Sequence, residues 1–171
     1  MELRDSDLAL RPWTLDDVPA IVAACQDEEI LHWIPVIPRP YTEADARAFV
    51  NGTWAREPGQ QFAVTLNGDV VGSIGMRTNE SGTGHIGYWC ASEARGRGIL
   101  TRALRVLCRY GFDELGLERL ELITDPDNRA SQRVAEKVGF QREGVLRSHL
   151  RHPDGRRRDS VMFSLLPGEL R

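Results

Sequence analysis

Cysteine is scarce in this chain of 171 residues: only Cys25, Cys90 and Cys108 occur, widely spaced and odd in number. Neither a disulfide framework nor a zinc knuckle can be read from them. A basic surplus is also missing. Lys and Arg together number 22 against 25 Asp and Glu, a net charge of −3. Binding nucleic acid without sequence preference needs extra cations to displace counterions. Long apolar runs are absent too; the longest, Val18 to Cys25, falls far short of a membrane span and contains Pro19. The start, Met1-Glu2-Leu3-Arg4-Asp5-Ser6-Asp7, has no apolar core behind basic residues and does not read as an export signal. These absences lead us to expect a cytoplasmic chain with no membrane partner and no sequence-specific nucleic-acid partner. The sequon Asn51-Gly52-Thr53 then has no glycosylating compartment to act in. No repeat, low-complexity tract or Gly/Ser-rich linker divides the sequence, so residues 1–171 are expected to form one domain. Whether that domain pairs as a homodimer is left open.

What is present suits a globular core: 41% hydrophobic and 27% charged residues. Leu8-Ala9-Leu10-Arg11 reads as a strand, and Thr14-Leu15-Asp16-Asp17 caps a helix running to about Cys25. Pro35, Pro38 and Pro40 forbid regular structure in the stretch that carries Trp33 and Tyr41. Thr42-Glu43-Ala44-Asp45 opens a second helix. After Pro58-Gly59 the period changes to strands: Gln61 to Leu66, Val70 to Arg77 and Thr83 to Cys90. Asn67-Gly68-Asp69 makes the first connection a hairpin. From Leu100 to Leu115 apolar residues return at helical spacing, with Arg102, Arg105, Arg109 and Asp113 on the other face. Leu120 to Thr124 is the next strand. A helix closed by Gly139 follows Asp125-Pro126-Asp127-Asn128, and Phe140 onward and Asp159 to Leu165 complete the sheet. The expectation is an α+β fold of about seven strands, mostly antiparallel, with four helices.

One segment stands out chemically: Arg95-Gly96-Arg97-Gly98-Ile99-Leu100-Thr101, between a strand and a helix. Two glycines let the backbone pass close to a ligand. The first N–H groups of the helix lack internal partners and carry the positive end of its dipole, which suits a pyrophosphate. The side chains of Arg95, Arg97 and Thr101 can add contacts, although such turns often merely connect elements. A dinucleotide fingerprint would need a third glycine where Thr101 stands, and a leading βαβ unit. An NTPase loop would need Gly-Lys-Ser/Thr, which does not occur. Gly72-Ser73-Ile74-Gly75 lacks the spacing of a serine-hydrolase elbow. His149 and His152, three apart on a strand, point to opposite faces, so no metal site is expected.

Gly87-Tyr88-Trp89-Cys90, Arg95-x-x-Gly98, Asn128-x-x-Ser131 and Glu136-Lys137-Val138-Gly139-Phe140 together resemble the GNAT superfamily of N-acetyltransferases. Within it, the RimJ/RimL-like branch that acetylates ribosomal-protein N-termini is the most similar. The resemblance spans nearly the whole chain and implies the GNAT fold, a twisted sheet that splays between its fourth and fifth strands, Thr83–Cys90 and Leu120–Thr124. It implies acetyl-CoA as acyl donor and an amine as acceptor, most naturally a protein or peptide N-terminus. By the same resemblance the loop Arg95, Gly96, Arg97, Gly98, Leu100 and Thr101 holds the pyrophosphate. Leu100 stands where the family has Gly or Ala, and only its backbone N–H is required. A bulged stretch, Trp89, Cys90 and Ala91, lines the pantetheine arm, and the N–H of Trp89 stabilises the developing oxyanion.

The family's usual tyrosine acid is replaced by Ala135, and the resemblance puts Ser131 in its place beside the sulfur. Asn128 would hold pantetheine or substrate, or simply cap the helix. His85 lies where related enzymes carry a base, and an imidazole of ordinary pKa about 6.5 suits that work; Glu80 and Glu93 are weaker candidates. Trp33, Arg39 and Tyr41 are expected to bind the acceptor. So is the last hairpin, which carries Arg142, Arg147, Arg151, Arg156, Arg157 and Arg158. A small-molecule amine such as an antibiotic or polyamine, a longer acyl donor, and an idle acyl-CoA-binding regulatory module are the alternatives.

Overall fold

The computed structural model describes residues 1–53 and 59–171. Pro58, half of the expected change of period, lies outside the described residues; Gly59 opens a strand. Among the described residues eight strands occur: β1 (Leu3–Asp5), β2 (Leu8–Pro12), β3 (Gly59–Leu66), β4 (Asp69–Thr78), β5 (Thr83–Cys90), β6 (Arg119–Thr124), β7 (Gln141–Arg151) and β8 (Arg157–Leu165). The helices are α1 (Val18–Ala24), α2 (Glu28–Trp33), α3 (Glu43–Val50), α4 (Ile99–Arg109) and α5 (Arg129–Val138). The sheet order is β1-β2-β3-β4-β5-β6-β8-β7. Every neighbouring pair is antiparallel except β5–β6, which α4 joins as a parallel crossover. The α+β class and the element order agree with the sequence.

Two elements are additions. β1 pairs with β2 from Leu3↔Leu10 to Asp5↔Leu8. The helix α2 occupies part of the stretch expected to lack regular structure. Asp27 caps it, its Oδ1 accepting from Glu29 N at 3.0 Å and Ile30 N at 2.9 Å, with Glu28 and Glu29 in the first turn. The prolines therefore act only beyond Ile34, the residue that precedes Pro35.

Strand alternation and helical period meet in one main core. On one face of the sheet α4 and α5 bury Leu104, Leu107, Ala135 and Val138 against Ile74, Met76, Ile86, Leu120, Leu122 and Phe163. A smaller core gathers Val18, Ile21, Cys25, Tyr41 and Ala46 of α1, α3 and their connection. Trp13 packs against it and meets Trp89 of β5, ring centroids 6.3 Å apart, from the opposite face of the sheet. Gly139 closes α5 in the left-handed region at φ 113°.

Candidate active site

The register of β5 creates an opening in the sheet. Against β4 it runs unbroken from Thr78↔Gly84 to Gly72↔Cys90. Asn79 N donates to Thr83 O at one end (3.1 Å) and Ala91 N to Val71 O at the other (3.0 Å). Antiparallel pairs alternate between hydrogen-bonded and non-hydrogen-bonded. Odd-numbered residues of β5 thus direct their backbone groups to β4, and even-numbered ones direct theirs to β6. Pairing with β6 stops at Ile86↔Leu122, although β5 continues to Cys90. Beyond that point the strands diverge, and Tyr88 and Cys90 turn their N–H groups into the gap. Two expectations are corrected here. β5 carries no bulge in its register, and the N–H of Trp89 faces β4 opposite Ser73, away from the opening.

On the α4/α5 side the gap meets the glycine turn. Gly96 and Gly98 both have φ 74°, a conformation that side chains rarely adopt, and a Cβ added to either would meet no protein atom within 4 Å. Gly98 is the N-cap of α4, and the first helical bond runs from Arg102 N to Gly98 O at 3.1 Å. The N–H groups of Ile99, Leu100 and Thr101 are therefore the unpaired donors of that helix end. Open space, donors and dipole together fit a pyrophosphate. The two arginines differ. Arg95 turns back to α2, pairing with Asp27 at 2.8 Å and Glu29 at 2.7 Å and donating to Cys90 O at 3.3 Å, whereas Arg97 is exposed. Thr101 is buried at the edge of the cleft.

Ser131 sits in the first turn of α5. Asn128 caps that helix, its Oδ1 accepting from Ser131 N at 3.0 Å. Ser131 Oγ lies 3.0 Å from the hydroxyl of Tyr88, which also donates to Ser131 O at 3.3 Å. Burial pushes the Tyr88 phenol above its ordinary pKa, while its bond to Ser131 works the other way. Burial likewise pushes the Cys90 thiol up to about 11, so Cys90 lines the gap as a neutral group.

The opposite side is made of side chains. His85 Nδ1 lies 3.0 Å from Glu121 Oε2, brought there by the parallel register His85↔Glu121. Arg119 Nε donates to Glu121 Oε1 at 2.7 Å, and Asn79 Nδ2 lies 3.4 Å from His85 Nε2. Trp33, Ile34, Pro35, Val36 and Ile123 form the apolar wall. Arg158 bridges Asp125 (2.8 Å) and the carbonyl of Trp33 (3.1 Å), tying β8 to the end of α2. Both sides line one cleft of about 750 Å³ beside the divergence of β5 and β6.

The other expected acceptor residues fall elsewhere. Tyr41 is buried in the smaller core, 7% exposed. Arg39 makes an exposed pair with Glu28 at 3.4 Å beside a separate depression. Glu80 is exposed in a turn, and Glu93 accepts from Ser92 Oγ at 3.0 Å on the surface. Among the described residues no three His, Cys, Asp or Glu gather as a metal site. The sequence reading missed Tyr88, Glu121 and the Arg158–Asp125 bridge. Tyr88 lay inside the quoted Gly87-Tyr88-Trp89-Cys90 motif, and strand alternation already set Glu121 on the face opposite Leu120 and Leu122.

Comparison with known proteins adds a family. The acetyltransferase (GNAT) domain model matches residues 7–141. The uncharacterized N-acetyltransferase p20 of Bacillus licheniformis is 29% identical over 170 residues, 95% of this chain and 94% of that one. YdaF of Bacillus subtilis, provisionally named a ribosomal N-acetyltransferase, is 32% identical, covering 80% of this chain and 78% of its own. RimJ of Mycobacterium smegmatis, solved with a CoA disulfide, superposes with a TM-score of 0.85 at 28% identity, covering 99% of this chain and 87% of that one.

Proposed function

This chain belongs to the GNAT acetyltransferase family and is an acetyl-CoA-dependent N-acetyltransferase, and from that premise we propose that its acceptor is the α-amino group of a protein or peptide. The observation that carries the reading is the cleft itself, lined by residues from both faces of the sheet. A donor held from the α4/α5 side and an amine entering from the other meet in the gap, so transfer is direct and needs both substrates bound.

Acetyl-CoA supplies the activated acyl group. The unpaired N–H groups of residues 99–101, with Gly96 and Gly98, hold its pyrophosphate, and Arg97 adds charge. Tyr88 and Cys90 present backbone N–H groups along the pantetheine arm and toward the thioester oxygen, the task first assigned to Trp89. His85, directly or through water, takes a proton from the arriving ammonium, while Glu121 stabilises the imidazolium. The free amine forms the C–N bond as the C–S bond breaks, the electron pair going to sulfur. The amide nitrogen gives up its second proton to solvent. Ser131 donates a hydrogen bond to the sulfur, which leaves as the thiolate and takes its proton from water. One proton is released overall.

Charge balance favours a peptide over a polyamine or aminoglycoside. Among the described residues, the three carboxylates lining the cleft, Glu29, Glu121 and Asp125, are paired with Arg95, Arg119 and Arg158. A polycation therefore finds no uncompensated carboxylate among these three, whereas the apolar wall from Trp33 to Val36 suits the side chain that follows an α-amine. Ribosomal proteins are the acceptor class that YdaF's name points to. A cytoplasmic site of action accords with that class, and among the described residues no helix is long and apolar enough to cross a membrane.

The test is calorimetric titration with acetyl-CoA followed by thiol-release assays on N-terminal peptides, aminoglycosides and polyamines. Turnover on peptides alone supports the reading. Turnover on a small amine reassigns the acceptor, and binding with no turnover on any class supports the idle acyl-CoA-binding module.

A further inference from the structure

Among the described residues lining the cleft Tyr88 carries the single phenol, and α5 offers only Ala135, fully buried, where the family's tyrosine would stand. The phenol has one proton and two acceptors on the same residue, Ser131 O at 3.3 Å and Ser131 Oγ at 3.0 Å. The amide of Ser131 is committed to Asn128. When Tyr88 donates to Oγ, the serine's own proton has no partner within its helix turn and is free for the gap. When the serine donates to the phenol instead, the phenol's proton rests on the carbonyl. Small rotations of two hydroxyls interconvert these arrangements.

We propose that Tyr88 is a positioning residue for the leaving sulfur: by donating to Ser131 Oγ it turns the serine hydroxyl toward the C–S bond as that bond breaks. This rests on the reading of Ser131 given above. The phenol stays protonated throughout, in keeping with a burial that disfavours phenolate. Ser131 supplies only a hydrogen bond, and the proton that ends on sulfur comes from water.

Steady-state kinetics on Tyr88→Phe, Ser131→Ala and the double variant test this, with calorimetric acetyl-CoA affinity and Tm as controls on folding. Tyr88→Phe is expected to lower kcat about tenfold with the acetyl-CoA KM within about twofold, and Ser131→Ala to lower it about a hundredfold. The double variant should be no slower than Ser131→Ala, since the tyrosine acts through the serine. With the selenoester analogue of acetyl-CoA, whose selenol leaves without help, the Tyr88→Phe defect should shrink to less than about threefold. Unchanged kcat in Tyr88→Phe beside a slow Ser131→Ala overturns the role of Tyr88 and leaves that of Ser131 standing. Unchanged kcat in Ser131→Ala overturns both. Losses that simply add in the double variant, or a defect as large with the selenoester, overturn the positioning role.

Discussion

The two sides of the cleft are made of different material. The α4/α5 side is largely backbone: two glycines at φ 74°, the unpaired N–H groups at the head of α4, and those of Tyr88 and Cys90. The opposite side is side chains drawn from α2, β5, β6 and β8, with Trp33, His85, Glu121, Ile123 and Arg158 spread over more than a hundred positions of sequence. Backbone donors survive almost any change of residue type. A side-chain wall changes with each substitution. The donor half is thus suited to one constant ligand, and the acceptor half can be respecified without disturbing it.

The sharpest way to break that division is at Gly98. A Cβ there meets no protein atom, so the fold should survive, but a β-branched residue at φ 74° is strained and intrudes where the ligand passes. Gly98→Val should weaken acetyl-CoA binding by about 3 kcal/mol, more than a hundredfold in Kd by calorimetry. Near-unchanged affinity would remove the pyrophosphate from this turn. On the other side, His85→Ala should cost about tenfold to a hundredfold in kcat/KM for the amine while acetyl-CoA affinity stays within about twofold. If donor affinity falls alongside, the two sides are not separable.

That same division explains what could be read in advance. The glycine turn, Asn128 and Ser131 lie in short contiguous motifs, and the hairpin at Asn67-Gly68 together with the long amphipathic helix gave most of the element order. The fine geometry of β5 was not legible. Motif likeness suggested a bulge and a Trp89 donor, whereas the direction of each N–H depends on how β5 registers with β4. Glu121 met His85 only through parallel pairing across 36 positions of sequence. Tyr41 looked like a binding residue because its loop is rich in proline and aromatics. Its ring instead fills the core between α1 and α3, where burial pushes its phenol well above the usual value.

Trp33 and Tyr41 therefore make a sharper contrast than their spacing suggests. Trp33→Ala should raise the acceptor KM about tenfold, roughly 1.4 kcal/mol, and leave acetyl-CoA affinity unchanged in calorimetry. Tyr41→Phe should leave both constants unchanged. A KM shift in Tyr41→Phe would place that loop back in the acceptor site.

The smallest effect tests whether the two sides are mechanically joined. Arg95 opens the glycine turn, yet its guanidinium is held by Asp27 and Glu29 at the head of α2, the helix that ends in Trp33. Burial works to raise the Asp27 carboxyl, but its bonds from Arg95 and from the N–H groups of Ile30 and Glu29 outweigh that and hold it below its ordinary value. A depressed carboxylate contributes above the ordinary range near 4 and loses its contribution as pH falls through the lowered value. The strut should thus be constant from about pH 6 to 9 and fail only in acid. Asp27→Asn keeps a capping side chain and removes the charge. For a partly exposed pair about 0.5–1 kcal/mol is at stake, so acetyl-CoA Kd and acceptor KM should each rise about twofold to fivefold, together and independently of pH in that window. A rise in one constant alone would mean that α2 and the turn merely touch. The backbone half and the side-chain half would then be two independent sites that share an opening.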